Sequence, residues 1–387
     1  MLITISPAKT LNLDPQSQTK KHSTPDFLRE SAALIARLRK LSNTSCASST
    51  STPCSAATSP TRATTIWGWP QSRHWRSEWP VPANAWAQDA SDTNVELLLL
   101  GTKGGPALLT PKRISQSSAL VVDGEIVMID AGYGASLRLA QAGQSLKNLH
   151  SIFITHLHSD HVLDYPALVM NAWATGLKKP IDVYGPTGMQ AMTDQVWQMF
   201  AVDIDKRVAD EGRPDPRKLV DVHEIDAGSV LDDATMKVAA LRVPHPPFGD
   251  GEAFAYRFQV AGKTIVFTGD LHSFPDGFTE FAKDADIMVS EMVNADAVQA
   301  LSQRIGNGDT LAKAILSHHV TGAQVGRAAH AAGVKKLVLS HLVPADDPSV
   351  TEQSWIDAVR GDYDGPVVVA RDGMRIDVAG EPANNSQ

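Results

Sequence analysis

From residue 95 onward, short apolar runs recur between polar turns. Val95 to Leu100, Ala119 to Val122, Ile126 to Ile129, Ile152 to Thr155 and Ile181 to Tyr184 predict strands. So do Lys237 to Val243, Ala253 to Val260, Thr264 to Thr268, Ile287 to Ser290, Lys336 to Ser340 and Pro366 to Ala370. Between them, Tyr165–Thr175, Thr187–Phe200, Leu311–Ser317 and Ala323–Ala332 carry a helical pattern. Strands arrive first as a meander and then alternate with helices, and this order occurs twice. The expected class is α/β: two mixed sheets packed face to face with helices outside.

The upstream pattern differs. Met1 to Leu11 predicts a short strand and turn. Pro25 to Leu41 predicts a helix, with Thr24 as N-cap, Pro25 at its first position and Phe27, Leu28, Leu34, Ile35 and Leu38 on one face. Residues 43–80 show neither period. Asn43 to Thr65 is mostly Ser, Thr, Ala and Pro, followed by Trp67, Trp69, Trp75 and Trp79, so an irregular linker is expected. A carbohydrate or membrane-surface contact is the alternative for the tryptophans.

Composition narrows the class. Among 387 residues, 43% are hydrophobic and 20% charged, ordinary values for a chain with a large core. No run approaches the length of a membrane-spanning helix. The net charge of -8 hides an asymmetry: residues 1–87 carry +6, residues 88–387 carry -14. The acidic part is a poor general attractor of nucleic acid, although a local basic patch is compatible with it. Cys46 and Cys54 lie in the Ser/Thr-rich stretch and build neither a disulfide framework nor a zinc ribbon. Ala85-Trp86-Ala87 has the small-x-small form of a secretory cleavage site, but no apolar h-region precedes it. The expectation is a cytoplasmic chain as written, with an exported ancestor for residues 88–387.

The chemistry concentrates in Thr155-His156-Leu157-His158-Ser159-Asp160-His161, directly after the apolar run Ser151 to Ile154. Three imidazoles and a carboxylate on one loop can serve two neighbouring cations, His156 and His158 facing one, Asp160 and His161 the other. With no thiolate nearby, the set suits zinc or another borderline divalent ion. Further candidates sit where strands end: His245 after Val243-Pro244, Asp270 after Thr268-Gly269, and His341 after Leu339-Ser340. His223, within Val222-His223-Glu224-Ile225, is the competing candidate to His245.

On these residues, together with Gly101 to Pro106, Ile129-Asp130-Ala131-Gly132 and Tyr184-Gly185-Pro186, residues 95–378 resemble the metallo-β-lactamase fold. The similarity is to its branch of ribonuclease Z and zinc-type bacterial arylsulfatases. The resemblance implies an αββα sandwich behind a short N-terminal extension, with the site on loops along one edge of the sheets. It implies that His156, His158 and His245 hold one metal, that Asp160, His161 and His341 hold the other, and that Asp270 bridges. Two Zn²⁺ ions per chain are expected, and manganese or iron would fit the same donors. Such a pair lowers the pKa of a shared water and polarises an ester; Asp160 could also orient the attacking hydroxide. A leaving oxygen needs a proton donor. His319, in His319-Val320-Thr321, fits the place of the branch's catalytic histidine, and Glu291 its supporting carboxylate; the plainer reading of His318 and His319 is a helix end.

The expected function is therefore a metal-dependent hydrolase of small anionic sulfate or phosphate esters, arylsulfatase-like. The alternative is a tRNA 3′-end endonuclease of the ribonuclease Z type. Only 25 positions separate His245 from Asp270, where ribonuclease Z typically holds a tRNA-gripping arm, and Leu99 to Pro106 and Asp203 to Leu219 resemble the arylsulfatases more closely. A lactonase or β-lactamase would leave Glu291 and His319 without a role. A purely structural site would fill every metal position with protein ligands, and a di-iron redox site usually has Glu where His158 stands. A homodimer is compatible with this reading. Residues 1–42 resemble the start of the YaaA-like peroxide-stress family, which suggests a fusion or frameshift. The expected division is 1–42 as that fragment, 43–94 as linker, 95–380 as hydrolase and 381–387 as tail.

Overall fold

The computed structural model describes residues 93–109, 112–306, 308–345 and 347–378. The expected YaaA-like start, both cysteines and the Ala85-Trp86-Ala87 segment lie outside the described residues.

Among the described residues, fourteen strands form two sheets of seven. The first takes β1 (Val95–Gly101), β2 (Ser117–Val122), β3 (Glu125–Ile129), β4 (Leu149–Phe153), β5 (Ile181–Gly185) and β6 (Val220–Glu224). The second takes β7 (Gly228–Asp232), β8 (Met236–Arg242), β9 (Phe254–Val260), β10 (Lys263–Phe267), β11 (Ile287–Val293), β12 (Leu337–Val343) and β13 (Val367–Val369). The last strand, β14 (Met374–Asp377), returns to pair with β1. In each sheet one half is antiparallel and the other parallel. β3 to β6 run parallel, as do β10 to β13.

Burial explains the sequence texture. β1, β2, β11 and β12 are covered on both faces, so they read as continuous apolar runs rather than alternating ones. The inner layer between the sheets includes Leu97, Leu120, Phe153, Tyr256, Phe258 and Phe267. Phe153 ties the two sheets together: its ring stacks on Tyr184 at 4.7 Å and meets Tyr256 and Phe258 edge-on at 5.5 and 5.0 Å. Helices Ala135–Gln141, Tyr165–Ala174 and Met189–Met199 (α1, α3 and α4) cover one outer face, and the short Ser159–Val162 (α2) starts on the motif loop. Gly322–Ala331 and Glu352–Arg360 (α9 and α10) cover the other. The expected αββα sandwich is present.

Several boundaries move, and two of the shifts place site residues. β4 ends at Phe153, so Ile154 and Thr155 already belong to the loop. β11 and β12 run about three residues beyond their expected ends, which puts Glu291 and His341 inside strands. The ladder slips there: Ser290 faces Leu339 but Met292 faces Leu342, so Ser340 and His341 form a bulge on β12. His341 has φ 45, the left-handed conformation that lets such a bulge turn its side chain towards the sheet edge.

Candidate metal centre

Five parallel-running strand ends meet at one edge and deliver the chemistry. Asp130 follows β3, His156 to His161 follow β4, His245 follows β8, Asp270 follows β10 and His341 sits near the end of β12. The sheets are stitched together at this edge. Phe254 N–H donates to the Thr155 carbonyl at 3.0 Å, and the Tyr256 hydroxyl donates to the Ile154 carbonyl at 2.9 Å. The approach is tight enough to demand glycine twice. Gly269 has φ 59, and a Cβ there would lie 2.7 Å from the Phe254 carbonyl oxygen; at Gly104 a Cβ would lie 2.7 Å from the His341 ring.

Ligand atoms of His156, His158, His245 and Asp270 lie within 4.8 Å of one another, and so do those of Asp160, His161 and His341. Asp270 and His341 also group with His319. The seven residues named from sequence as metal ligands, and His319, are thus brought together. His223 is not: it lies on β6, stacked on Tyr184 at 4.8 Å and 2.8 Å from Asp182.

Outer partners fix the imidazoles. His156 Nδ1 lies 3.0 Å from the Thr155 hydroxyl, which itself donates to Asp130; His161 Nδ1 donates to Asp130 at 2.8 Å; His245 Nδ1 donates to the His318 carbonyl at 3.0 Å. Each contact occupies Nδ1 and leaves the Nε2 lone pair facing inward, a tautomer assigned from the partners. His158 points its Nδ1 into the same space, 3.0 Å from His156 Nε2 and 3.1 Å from His245 Nε2. Burial pushes His156, His158 and His245 below the ordinary imidazole range, His245 to about 4. Neutral rings aiming lone pairs at a common point repel each other unless a cation stands there.

The second cluster makes the same demand through charge. Burial would raise the Asp160 and Asp270 carboxyls, but the His161 and His341 imidazoles outweigh it and hold both below the usual range. Burial would lower His161, yet Asp270, Asp130 and Asp160 raise it far above. Positive charge at its Nε2, as proton or metal, is what this site favours. His161 Nε2, Asp270 Oδ1 and both nitrogens of His341 are buried without a hydrogen-bond partner. Buried polar atoms are rarely left so, and these donors fit a divalent cation.

Asp130 appeared in the sequence only as part of a strand-end motif, and its orienting position was missed. Asp130→Asn should weaken metal affinity by roughly 10–100-fold, because His161 and Thr155 lose their charged acceptor. Metal titration against a competing chelator measures this, and unchanged affinity would remove the orienting role.

Glu291 and His319 complete the site. Glu291 is buried; one carboxylate oxygen accepts the Leu271 N–H at 2.7 Å, and the other meets His319 Nδ1 at 2.8 Å. Burial raises the Glu291 carboxyl. Burial would lower His319, but Glu291 and then Asp270 overcome it and lift the imidazole to about 9. His319 follows the helix Gly308–His318 (α8), and its Nδ1 is 3.9 Å from Asp270.

A family model described as the beta-lactamase superfamily domain matches residues 126–342, which span the expected ligands. The chain belongs to the beta-lactamase superfamily. Among curated relatives in the superfamily, the ribonuclease Z of Mycobacterium bovis (strain BCG / Pasteur 1173P2) is 27% identical over 287 residues, covering 73% of this chain and 98% of that protein. The ribonuclease Z of Mycobacterium avium (strain 104) is 28% identical with the same coverage. Solved structures share the superfamily fold. Human tRNase Z, short form, aligns with TM-score 0.52 at 22% identity, and Zn(2+)-bound PqqB from Methylobacterium extorquens with TM-score 0.54 at 15%. Each alignment covers 73% of this chain and 99% of the other. This superfamily member is a metal-dependent hydrolase that binds divalent metal. No helix among its described residues is long and apolar enough to cross a membrane.

Proposed function

We propose that the chain is a binuclear zinc phosphodiesterase. The observation that carries this reading is the Glu291–His319 pair, closed at 2.8 Å beside Asp270 and between the two clusters of ligand atoms. His156, His158 and His245 would hold one cation, and Asp160, His161 and His341 the other, with Asp270 shared. Imidazole and carboxylate donors without thiolate suit zinc. When bound, such a pair supplies Lewis acidity and a water acidic enough to attack at neutral pH. The protein does the rest. The Gly105 N–H donates to Asp160 Oδ2 at 2.8 Å and fixes that carboxylate, while Phe248, 4.5 Å from the His158 ring, shields the other side. The alkoxide leaving a phosphodiester is a strong base and needs a proton. His319 is its donor, because Glu291 occupies Nδ1 and leaves the second ring nitrogen to the substrate.

The relatives support RNA 3′-end cleavage as the substrate reading, in preference to sulfate esters. The short interval between His245 and Asp270 weighs less than it does in the sequence alone, since this chain spans 98% of relatives named ribonuclease Z. The second reading, a small sulfate or phosphate ester, is favoured by the -14 charge of residues 88–387, which repels a polyanion. Zinc-loaded protein should be assayed with precursor tRNA, bis(4-nitrophenyl) phosphate and 4-nitrophenyl sulfate, with and without chelator. Chelator-sensitive cleavage of either phosphodiester is the expected result. Turnover of the sulfate alone would replace this reading by the sulfatase one.

A further inference from the structure

The candidate centre forms the floor of a cavity of about 380 Å³, into which His158, Asp160, Asp270 and His319 all open. Its roof is a helical hairpin, Ala295–Ile305 (α7) followed by α8, and its far wall is the Val343–Ala345 segment after β12. Away from the floor the lining is aliphatic: Leu109, Leu301, Ile305, Leu311 and Ile315 face it, joined by Pro344. Leu109 and Ile305 remain 45% and 37% exposed, an unusual cost for two large apolar side chains at one cavity mouth. Among the described lining residues, Asp160 and Asp270 are the acids, Lys103 is the cation other than histidine, and no Phe, Tyr or Trp offers a face to stack a nucleobase. The size fits a small organic group.

We propose a further activity: hydrolysis of small phosphodiesters that carry an uncharged aryl or alkyl group, which lodges against the α7–α8 roof. The apolar wall begins where the reacting groups end, so one molecule can place its phosphate on the floor and its apolar substituent beneath the hairpin. Water oxygen bonds to phosphorus, one ester P–O bond breaks, the departing oxygen takes the proton of His319, and the proton released by the attacking water restores His319 by way of solvent. The products are a phosphate monoester and an alcohol or phenol. This inference rests on the phosphodiesterase reading and assigns it a substrate class other than RNA.

The test is a series of 4-nitrophenyl phosphodiesters whose second ester is methyl, butyl, hexyl or phenyl, assayed with the zinc-loaded full chain. Each buried methylene favours binding by roughly fourfold at most, so kcat/KM should rise at least about tenfold from methyl to hexyl. Ala314→Phe fills the roof and Ile305→Ser makes the mouth polar; neither touches the reacting groups. Both should flatten the rise in kcat/KM from methyl to hexyl. Ile305 is exposed enough that its variant tests the idea even where Ala314→Phe folds poorly. Turnover without a chain-length slope, or a slope that both variants retain, would overturn this inference alone. Absence of turnover on every member while precursor tRNA is still cleaved would also overturn this inference alone; absence of turnover on precursor tRNA as well would overturn the phosphodiesterase reading with it.

Discussion

Asp270→Ala is expected to abolish hydrolysis, lowering kcat/KM on the order of 10³-fold or more, and to lower the amount of divalent metal bound per chain. The scale follows from removing a preorganised charged group at the reacting centre. No other carboxylate in the centre reaches so many imidazoles. Its Oδ2 lies 3.8 Å from His156 and His245, 3.4 Å from His161 and 3.1 Å from His341, while Oδ1 has no partner. Without it, the neutral trio of His156, His158 and His245 keeps its lone pairs but loses the carboxylate that, among the described residues, groups with all three within ligand range. Asp270→Asn separates charge from shape: the amide fills the same space but is expected to lose metal in the same way. Elemental analysis of dialysed protein, paired with the diester assay, measures both effects. Undiminished metal content with near-normal turnover in either variant would refute the shared-ligand assignment.

The second large effect falls on His319 and depends on the leaving group. His319→Ala should slow diesters that release an alkoxide by roughly 10²–10⁴-fold, the usual contribution of a positioned general acid. Diesters that release 4-nitrophenolate, a weak base that departs without a proton, should slow by less than about tenfold. Glu291→Gln should reproduce the contrast more weakly, because the carboxylate that orients and charges His319 at 2.8 Å becomes an amide. A uniform loss across leaving groups, accompanied by loss of metal, would instead make His319 part of the metal-holding set, as its grouping with Asp270 and His341 allows.

Much of this architecture was legible because local signals agreed. β3, β11 and β12 are buried nearly throughout and write largely apolar runs, β8 alternates between buried and more exposed positions, and each reactive side chain stands just beyond or near the end of such a strand. What escaped was weakly buried or settled by distant contacts. β6 and β7 lie at the edges of their half-sheets and show mixed exposure along their length, so neither wrote a clean alternation. β14 exists through pairing with β1, some 280 positions earlier, and no local pattern announces that. Helix Ala201–Glu211 (α5) buries Ile204 on a charged surface and reads as polar chain. α7 was also missed, and with it the aliphatic roof, although Leu301 and Ile305, like Leu311 and Ile315, stand four apart as one helix face requires. The bulge at Ser340–His341 left no signal in composition, since it is a matter of register between two strands.

The division of ligands between the two sheets has a consequence for biosynthesis. One half of the centre is encoded by residues 156–161 and the other by residues 245–341, and the two sides meet only after the sheets have packed around Phe153. A nascent chain emerging from the ribosome therefore cannot present the full donor set until His341 has been made and β12 has paired with β11. The complete donor set is thus a late product of synthesis and sheet packing, and a divalent cation bound there would tie the two packed sheets together.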